Sequence, residues 1–247
     1  MSDKAVILKN ISKSFKIYHD AENSPNSKHF FAKRSYEKLM ILDDISFEVK
    51  KGEMLGIVGF NGSGKSTLLR IISKILEPDR GELIINGQIT PFLELGTGFN
   101  PEFSAKENII LYGVLLGFSE KEIKSRVNKI LEFAELEKFK DTKIKTFSAG
   151  MLAKLSFSTA MEVDPDILLI DEIFAVGDMH FQKKSFDALM SFKKRGKTII
   201  FVSHSLDFVK QFCDCGMFLH EGKVAEFGDP NKIVERFIDE VQKIDAS

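Results

Sequence analysis

The sequence predicts an α/β fold in which a parallel sheet carries ligand chemistry at one edge and a helical lobe lies beside it. Residues 54–58, 167–170 and 198–202 are short apolar runs with the branched content of strands buried on both faces, as in a parallel sheet. Each run leads straight into residues capable of chemistry: Gly59 onward, Asp171-Glu172 and Ser203-His204. Open α/β sheets place their ligands there, beyond the carboxyl ends of the strands. The lobe is read from residues 104–139, where Ile123, Val127, Ile130, Leu131 and Ala134 recur every three or four residues.

Taken in order, Val6-Ile7-Leu8 reads as a strand, and 41–49 as an alternating, half-buried strand ending at the turn Lys50-Lys51-Gly52-Glu53. Residues 19–38 between them are polar with Asn23, Pro25 and Asn26, then basic and aromatic, which predicts a surface loop followed by a short helix. The strand at 54–58 precedes a run at 68–75 suited to a helix. In the lobe, Ser119 followed by Glu122 forms a capping box. A further helix is expected to begin near Leu152, and Lys193-Lys194-Arg195 before Gly196 reads as a helix end complementing its dipole. From Pro230 to about residue 244, Ile233, Val234, Phe237, Ile238 and Val241 mark a last amphipathic helix that packs on the core.

Composition narrows the class. A chain of 247 residues buries one large core, so one unit covering 1–247, with a helical part at roughly 100–162, is expected. A net charge of -1 gives no overall field that would draw it to nucleic acid, and no nucleic-acid partner is expected. Cys213 and Cys215, one residue apart, make neither a disulfide framework nor a zinc site and read as structural thiols. The start Met-Ser-Asp-Lys has no apolar stretch behind a basic one, and no run of 18 apolar residues occurs. The expectation is a cytosolic protein that reaches any membrane process through another polypeptide.

The segment Gly59-Phe60-Asn61-Gly62-Ser63-Gly64-Lys65-Ser66-Thr67 matches a phosphate-binding loop in its proper setting, between a buried strand and a helix. Glycines let successive backbone N–H groups curl toward phosphate oxygens at the positive end of the helix dipole. Lys65 would add a point charge on the β and γ phosphates, and the Ser66 hydroxyl would ligate Mg2+. Asp171 and Glu172 supply two carboxylates at a strand end, Asp171 to hold Mg2+ through a water and Glu172 to orient and deprotonate the attacking water. Read alone, that pair is also an ordinary strand leaving the core. His204 either donates to the γ phosphate or is an edge histidine; the order of loop, carboxylates and histidine favours the first.

These motifs, together with Phe147-Ser148-Ala149-Gly150-Met151, resemble the ATP-binding cassette (ABC) ATPases over nearly the whole chain. The resemblance implies a RecA-like parallel core, an antiparallel β subdomain and a helical subdomain. It implies ATP and Mg2+ as ligands and a homodimer in which Ser148 and Gly150 face the triphosphate held by the opposite subunit. Asp178 takes the position of the loop crossing between the sites, and Phe15 that of the aromatic stacked on adenine, with Tyr18 its rival.

Two departures narrow the subfamily. The signature lacks its second glycine and its glutamine, and Glu94 stands nearest to the place of the family's magnesium-loop glutamine, adding negative charge there. The run Leu93-Glu94-Leu95-Gly96-Thr97-Gly98-Phe99-Asn100-Pro101-Glu102 is similar to that of ATPases exporting O-antigen, teichoic acid and capsular polysaccharides, as is the insertion at 19–38. That likeness implies an integral membrane permease as partner, a lipid-linked polysaccharide as indirect substrate, and a peripheral place on the cytoplasmic face of the inner membrane. Residues 28–36 then either lie against the membrane or the permease, or form a solvated helix. Some O-antigen members carry a C-terminal carbohydrate-binding domain for which these 247 residues leave no room. The cargo is then recognised through permease and lipid carrier, or the chain is part of a longer protein.

Overall fold

A computed structural model of the chain describes residues 3–18, 36–92, 98–171, 178–202 and 205–245. Two sheets and a set of helices make up the described fold. β1 (Lys4–Tyr18) pairs antiparallel with β2 (Tyr36–Lys50) on one edge and with β4 (Arg80–Ile85) on the other. The second sheet runs β5-β6-β7-β3-β8-β9, where β3 is Met54–Val58, β5 Ile89–Phe92, β6 Ile167–Asp171, β7 Thr198–Val202, β8 Cys215–His220 and β9 Lys223–Gly228. Its neighbours are parallel as far as β8, and β9 returns antiparallel.

Every residue of β3 and β7 is buried, and successive side chains go to opposite faces. Leu169, Ile200 and Val202 pack toward the antiparallel sheet with Leu8, Leu42 and Ile45, and helix α1 (Lys65–Ile72) adds Leu68, Leu69, Ile71 and Ile72 to that layer. Leu168, Ile199 and Phe201 face the other way, onto Phe157 of α4 (Ala149–Met161) and Phe181, Leu189 and Phe192 of α5 (Met179–Lys194). The helical lobe, α2 (Ala105–Leu115) with α3 (Glu120–Ala134), has its own core of Ile109, Ile123, Val127 and Ile130, and Leu155 of α4 enters it. Helix α4 thus belongs to both cores, because Phe157 and Ala160 lie on the sheet side. α6 (Leu206–Phe212) and α7 (Pro230–Asp245) complete the chain, and Ile233 and Val234 of α7 are buried against Phe218 of β8.

The three buried runs are strands as expected, and both Ser119-Glu122 and Ser104-Glu107 form reciprocal capping boxes. Other boundaries differ. Tyr36, Glu37 and Lys38 belong to β2 rather than to a short helix, and β1 extends ten residues past Leu8 to Tyr18. The long polar ends of this ribbon pair with each other, which supplies the order that hydrophobic alternation does not. Helix α4 starts at Ala149 instead of near Leu152, because the Ser148 side chain accepts the Met151 N–H and caps it there. The rest of the 19–38 insertion lies outside the described residues. Among the described residues no helix is long and apolar enough to cross a membrane.

Candidate functional site

The register of the parallel sheet assembles the site. Ile57 of β3 pairs with Val202 of β7, and Val202 pairs in turn with Asp171 of β6. The loop that starts at Gly59 and the Asp171 carboxylate therefore leave the same edge, two strand spacings or about 10 Å apart at the backbone. A methyl group on Gly59 would collide with the Leu219 carbonyl of β8, so the first glycine is required by close strand packing. Gly64 has φ of 103°, and a methyl there would stand 2.7 Å from Leu42 Cδ2 and 3.0 Å from the Ile41 carbonyl oxygen. Being glycine, Gly64 caps α1 without any side-chain hydrogen bond. The cap itself therefore offers the first-turn N–H groups no side-chain acceptor, unlike a Ser or Asp at that place.

Lys65 is buried, and its Nζ donates to the carbonyls of Gly59 at 2.7 Å and Phe60 at 2.8 Å. The loop thus curls around its own ammonium group. Ser66 Oγ donates to Asp171 Oδ2 at 3.1 Å, which joins a hydroxyl and a carboxylate from different elements. Ser63 Oγ is buried with no hydrogen-bond partner among the described residues. Ile41, Asn61, Gly62, Gly64, Lys65, Ser66 and Thr67 line a cleft of about 260 Å³. Amides at a helix start, one ammonium and an orphaned buried hydroxyl are a donor set for an anion of phosphate type. A hard divalent cation that keeps several waters fits a Ser66 hydroxyl and an Asp171 carboxylate, since Mg2+ needs few protein ligands when phosphates supply the rest.

Among the described residues, Ser148, Gly150, Asp178, Phe15 and Tyr18 are not part of that cleft lining. Ser148 caps α4, and Gly150 sits in the first turn with open space around its Cα, since a methyl would meet only Ser148 Oγ at 3.8 Å. Asp178 caps α5 by accepting the Phe181 N–H at 2.9 Å, and its other oxygen accepts from Lys154 of α4 at 2.7 Å. These bonds hold the Asp178 carboxyl down at about 2, with the Lys154 ammonium the leading cause. Lys154 also binds Glu135 at 3.0 Å, so one partly buried cation ties the ends of α3 and α5 to α4. Phe15 and Tyr18 are both exposed on β1; Phe15 lies opposite Leu39, two residues from the cleft residue Ile41, and Tyr18 lies opposite Tyr36. Tyr18 contacts the Tyr36 ring at a centroid distance of 5.9 Å. Glu94, Glu172 and His204 lie outside the described residues.

Sequence reading passed over Ile41 and Lys154, whose places in the cleft and between helices arise from residues distant in the chain. The two cysteines are structural, as expected: burial pushes both thiols up to about 12.

Fold and cleft together define a nucleoside triphosphate-binding protein of the phosphate-loop class. The family model described as ABC transporter matches residues 42–175, and the chain belongs to that family. It is 39% identical over 240 residues to the O-antigen export system ATP-binding protein RfbB of Klebsiella pneumoniae, covering 95% of this chain and 98% of that one. It is 40% identical over 241 residues to the teichoic acids export ATP-binding protein TagH of Bacillus anthracis, covering 96% of this chain and 43% of the relative's length. A dimeric ATP-binding cassette solved in a post-hydrolysis state with ADP and Pi superposes with a TM-score of 0.73 at 25% identity, over 91% of this chain and 98% of that one.

Proposed function

We propose that this chain is the ATP-hydrolysing subunit of a membrane exporter of cell-surface polysaccharide, acting as a pair of cassettes. The observation that carries the ATPase reading is the cleft at the sheet edge, where the uncapped start of α1, the buried Lys65 and the Ser66–Asp171 pair converge. The export reading is supported by the two polysaccharide-export relatives, each aligned over nearly all of this chain.

In this reading the amides of 62–67 and Lys65 hold the β and γ phosphates, and Ser66 and Asp171 would hold Mg2+, which when bound would supply charge neutralisation on the phosphates. Glu172 takes a proton from water; the water oxygen bonds to the γ phosphorus as the bridge to the β phosphate breaks, leaving ADP and Pi. His204 hydrogen-bonds the γ phosphate. Glu94 would be the residue that stands in for the family's magnesium-loop glutamine. Ser148 and Gly150 of the second subunit close over the triphosphate, with the open first turn of α4 supplying amides and no bulk. Asp178 keeps α4 and α5 in one frame through Lys154.

Phe15 is the better base-stacking residue. Tyr18 lies three residues further along β1, about 10 Å, and its ring packs tilted against Tyr36. The permease docks on the helical lobe, where Phe103, Ile110, Leu111, Val114 and Phe118 line an apolar cleft of about 610 Å³, and the complex sits on the cytoplasmic face of the inner membrane.

The test is Glu172→Gln. Turnover should fall about a thousandfold with ATP binding kept, and the nucleotide-bound variant should run as a dimer in size-exclusion chromatography. Hydrolysis near the wild-type rate by that variant would sink the base assignment.

A further inference from the structure

We propose that Asp79 is a positioning residue for nucleotide-base recognition: it clamps the irregular end of β1 and thereby sets where Phe15 stands beside the phosphate cleft. The inference rests on the reading of Phe15 as the base-stacking residue.

The clamp takes hold of three consecutive residues before Phe15. Asp79 donates its own N–H to the Ser12 carbonyl at 2.8 Å. Its Oδ1 accepts from Lys13 Nζ at 3.0 Å, and its Oδ2 accepts from both the Ser14 N–H at 2.9 Å and the Ser14 hydroxyl at 2.6 Å. These bonds stand where the ladder stops. Pairing of β1 with β4 ends at Ser12 opposite Arg80, and pairing with β2 shifts register at Ile11/Lys13 and again at Lys13/Ser14. Without Asp79 the Ser14 amide would have no strand partner on the β4 side, and an irregular ladder leaves the next side chain free to swing.

Phe15 is that next residue. Its ring lies 5.7 Å from Lys13 Nζ, the same ammonium that pairs with Asp79, and it is 43% exposed, so packing alone does not fix it. The carboxylate stays charged at any working pH, because the Ser14 and Lys13 hydrogen bonds hold it down at about 2.

Position in the chain gives the clamp its meaning. α1 begins with the phosphate-cleft residues Lys65 and Ser66 and ends at Ile72, seven residues before Asp79. The opposite edge of β1 meets β2 where Ile41 lines the same cleft, between Met40 paired to Ser14 and Leu42 paired to Lys13. One short segment therefore links the phosphate end of the site to the strand carrying the aromatic.

The experiment compares ATP with tripolyphosphate, which has no base, by equilibrium binding to the full chain. Asp79→Ala should raise the ATP Kd about fivefold to tenfold, leave the tripolyphosphate Kd within about twofold, and keep kcat at saturating ATP. Asp79→Asn, which retains an acceptor for the Ser14 N–H, should recover most of the loss. Phe15→Ala should show the same base-dependent defect, and adding Asp79→Ala to it should cost nothing more, since both changes act through one ring. Equal weakening of both ligands, additive losses, or an Asp79→Ala protein that binds ATP normally while Phe15→Ala does not, would each overturn the proposal. If Phe15→Ala itself binds ATP normally, the base-stacking reading fails and takes the Asp79 assignment with it.

Discussion

The starts of α1 and α4 are built in opposite ways. Both open on a first turn whose amides need acceptors. At α1 the cap is Gly64 in the left-handed region, with no side-chain acceptor, and the space a side chain would fill is taken by Ile41 and Leu42. At α4 the cap is Ser148, whose hydroxyl accepts the Met151 N–H at 3.2 Å, and the space around Gly150 is open. One helix start lies in a cleft and leaves its amides to a ligand. The other has one first-turn amide capped by its own serine and open space around Gly150, as suits a segment that meets a ligand only when another molecule brings one. A helix N-terminus becomes a site through what surrounds it, and the two surroundings here differ as the two roles proposed for them require.

The comparison breaks most visibly at Ser148. Ser148→Asp keeps a good cap, so the fold should hold, but it directs a carboxylate at any triphosphate presented by a partner. ATPase turnover should fall about a hundredfold with unchanged thermal stability. Turnover near wild type would reduce Ser148 to a helix cap. Next in size is Gly64→Ala, which meets both a positive φ and two close neighbours and should cost about 1–3 kcal/mol in urea unfolding. A neutral result would mean that Ile41 and Leu42 yield easily and that glycine is not required there. Ser148→Ala should cost only about 1 kcal/mol on the same assay, the ordinary value of a lost cap.

Most of the phosphate end was legible because its parts are contiguous: a buried run, a glycine loop and Lys65-Ser66 lie within 54–67. That 54–58, 167–170 and 198–202 are strands of a parallel sheet followed from their almost wholly apolar, branched content, whereas their order in the sheet did not. Illegible were β8 and β9, where Gly216 interrupts one strand and lysine and glutamate alternate with Val224 and Phe227 in the other. The long ribbon β1–β2 hid in the same way, since Lys13, Ser14 and Lys16 carry no hydrophobic period and their order comes from pairing and from Asp79. Lys154 escaped for a related reason: its partners Glu135 and Asp178 are 19 and 24 residues away. Contacts made by folding do not write themselves into local pattern.

The central claim is that each ATP is held by the Lys65 loop of one subunit and the Ser148 segment of the other. A mixture of Lys65→Ala subunits with Ser148→Asp subunits tests it, because each homodimer carries only damaged sites. In the mixed dimer both lesions fall in one site and the other is intact, so vanadate should trap nucleotide at about one per mixed dimer. If loop and Ser148 instead served the same ATP within a single chain, every site in the mixture would carry a lesion and no nucleotide would be trapped.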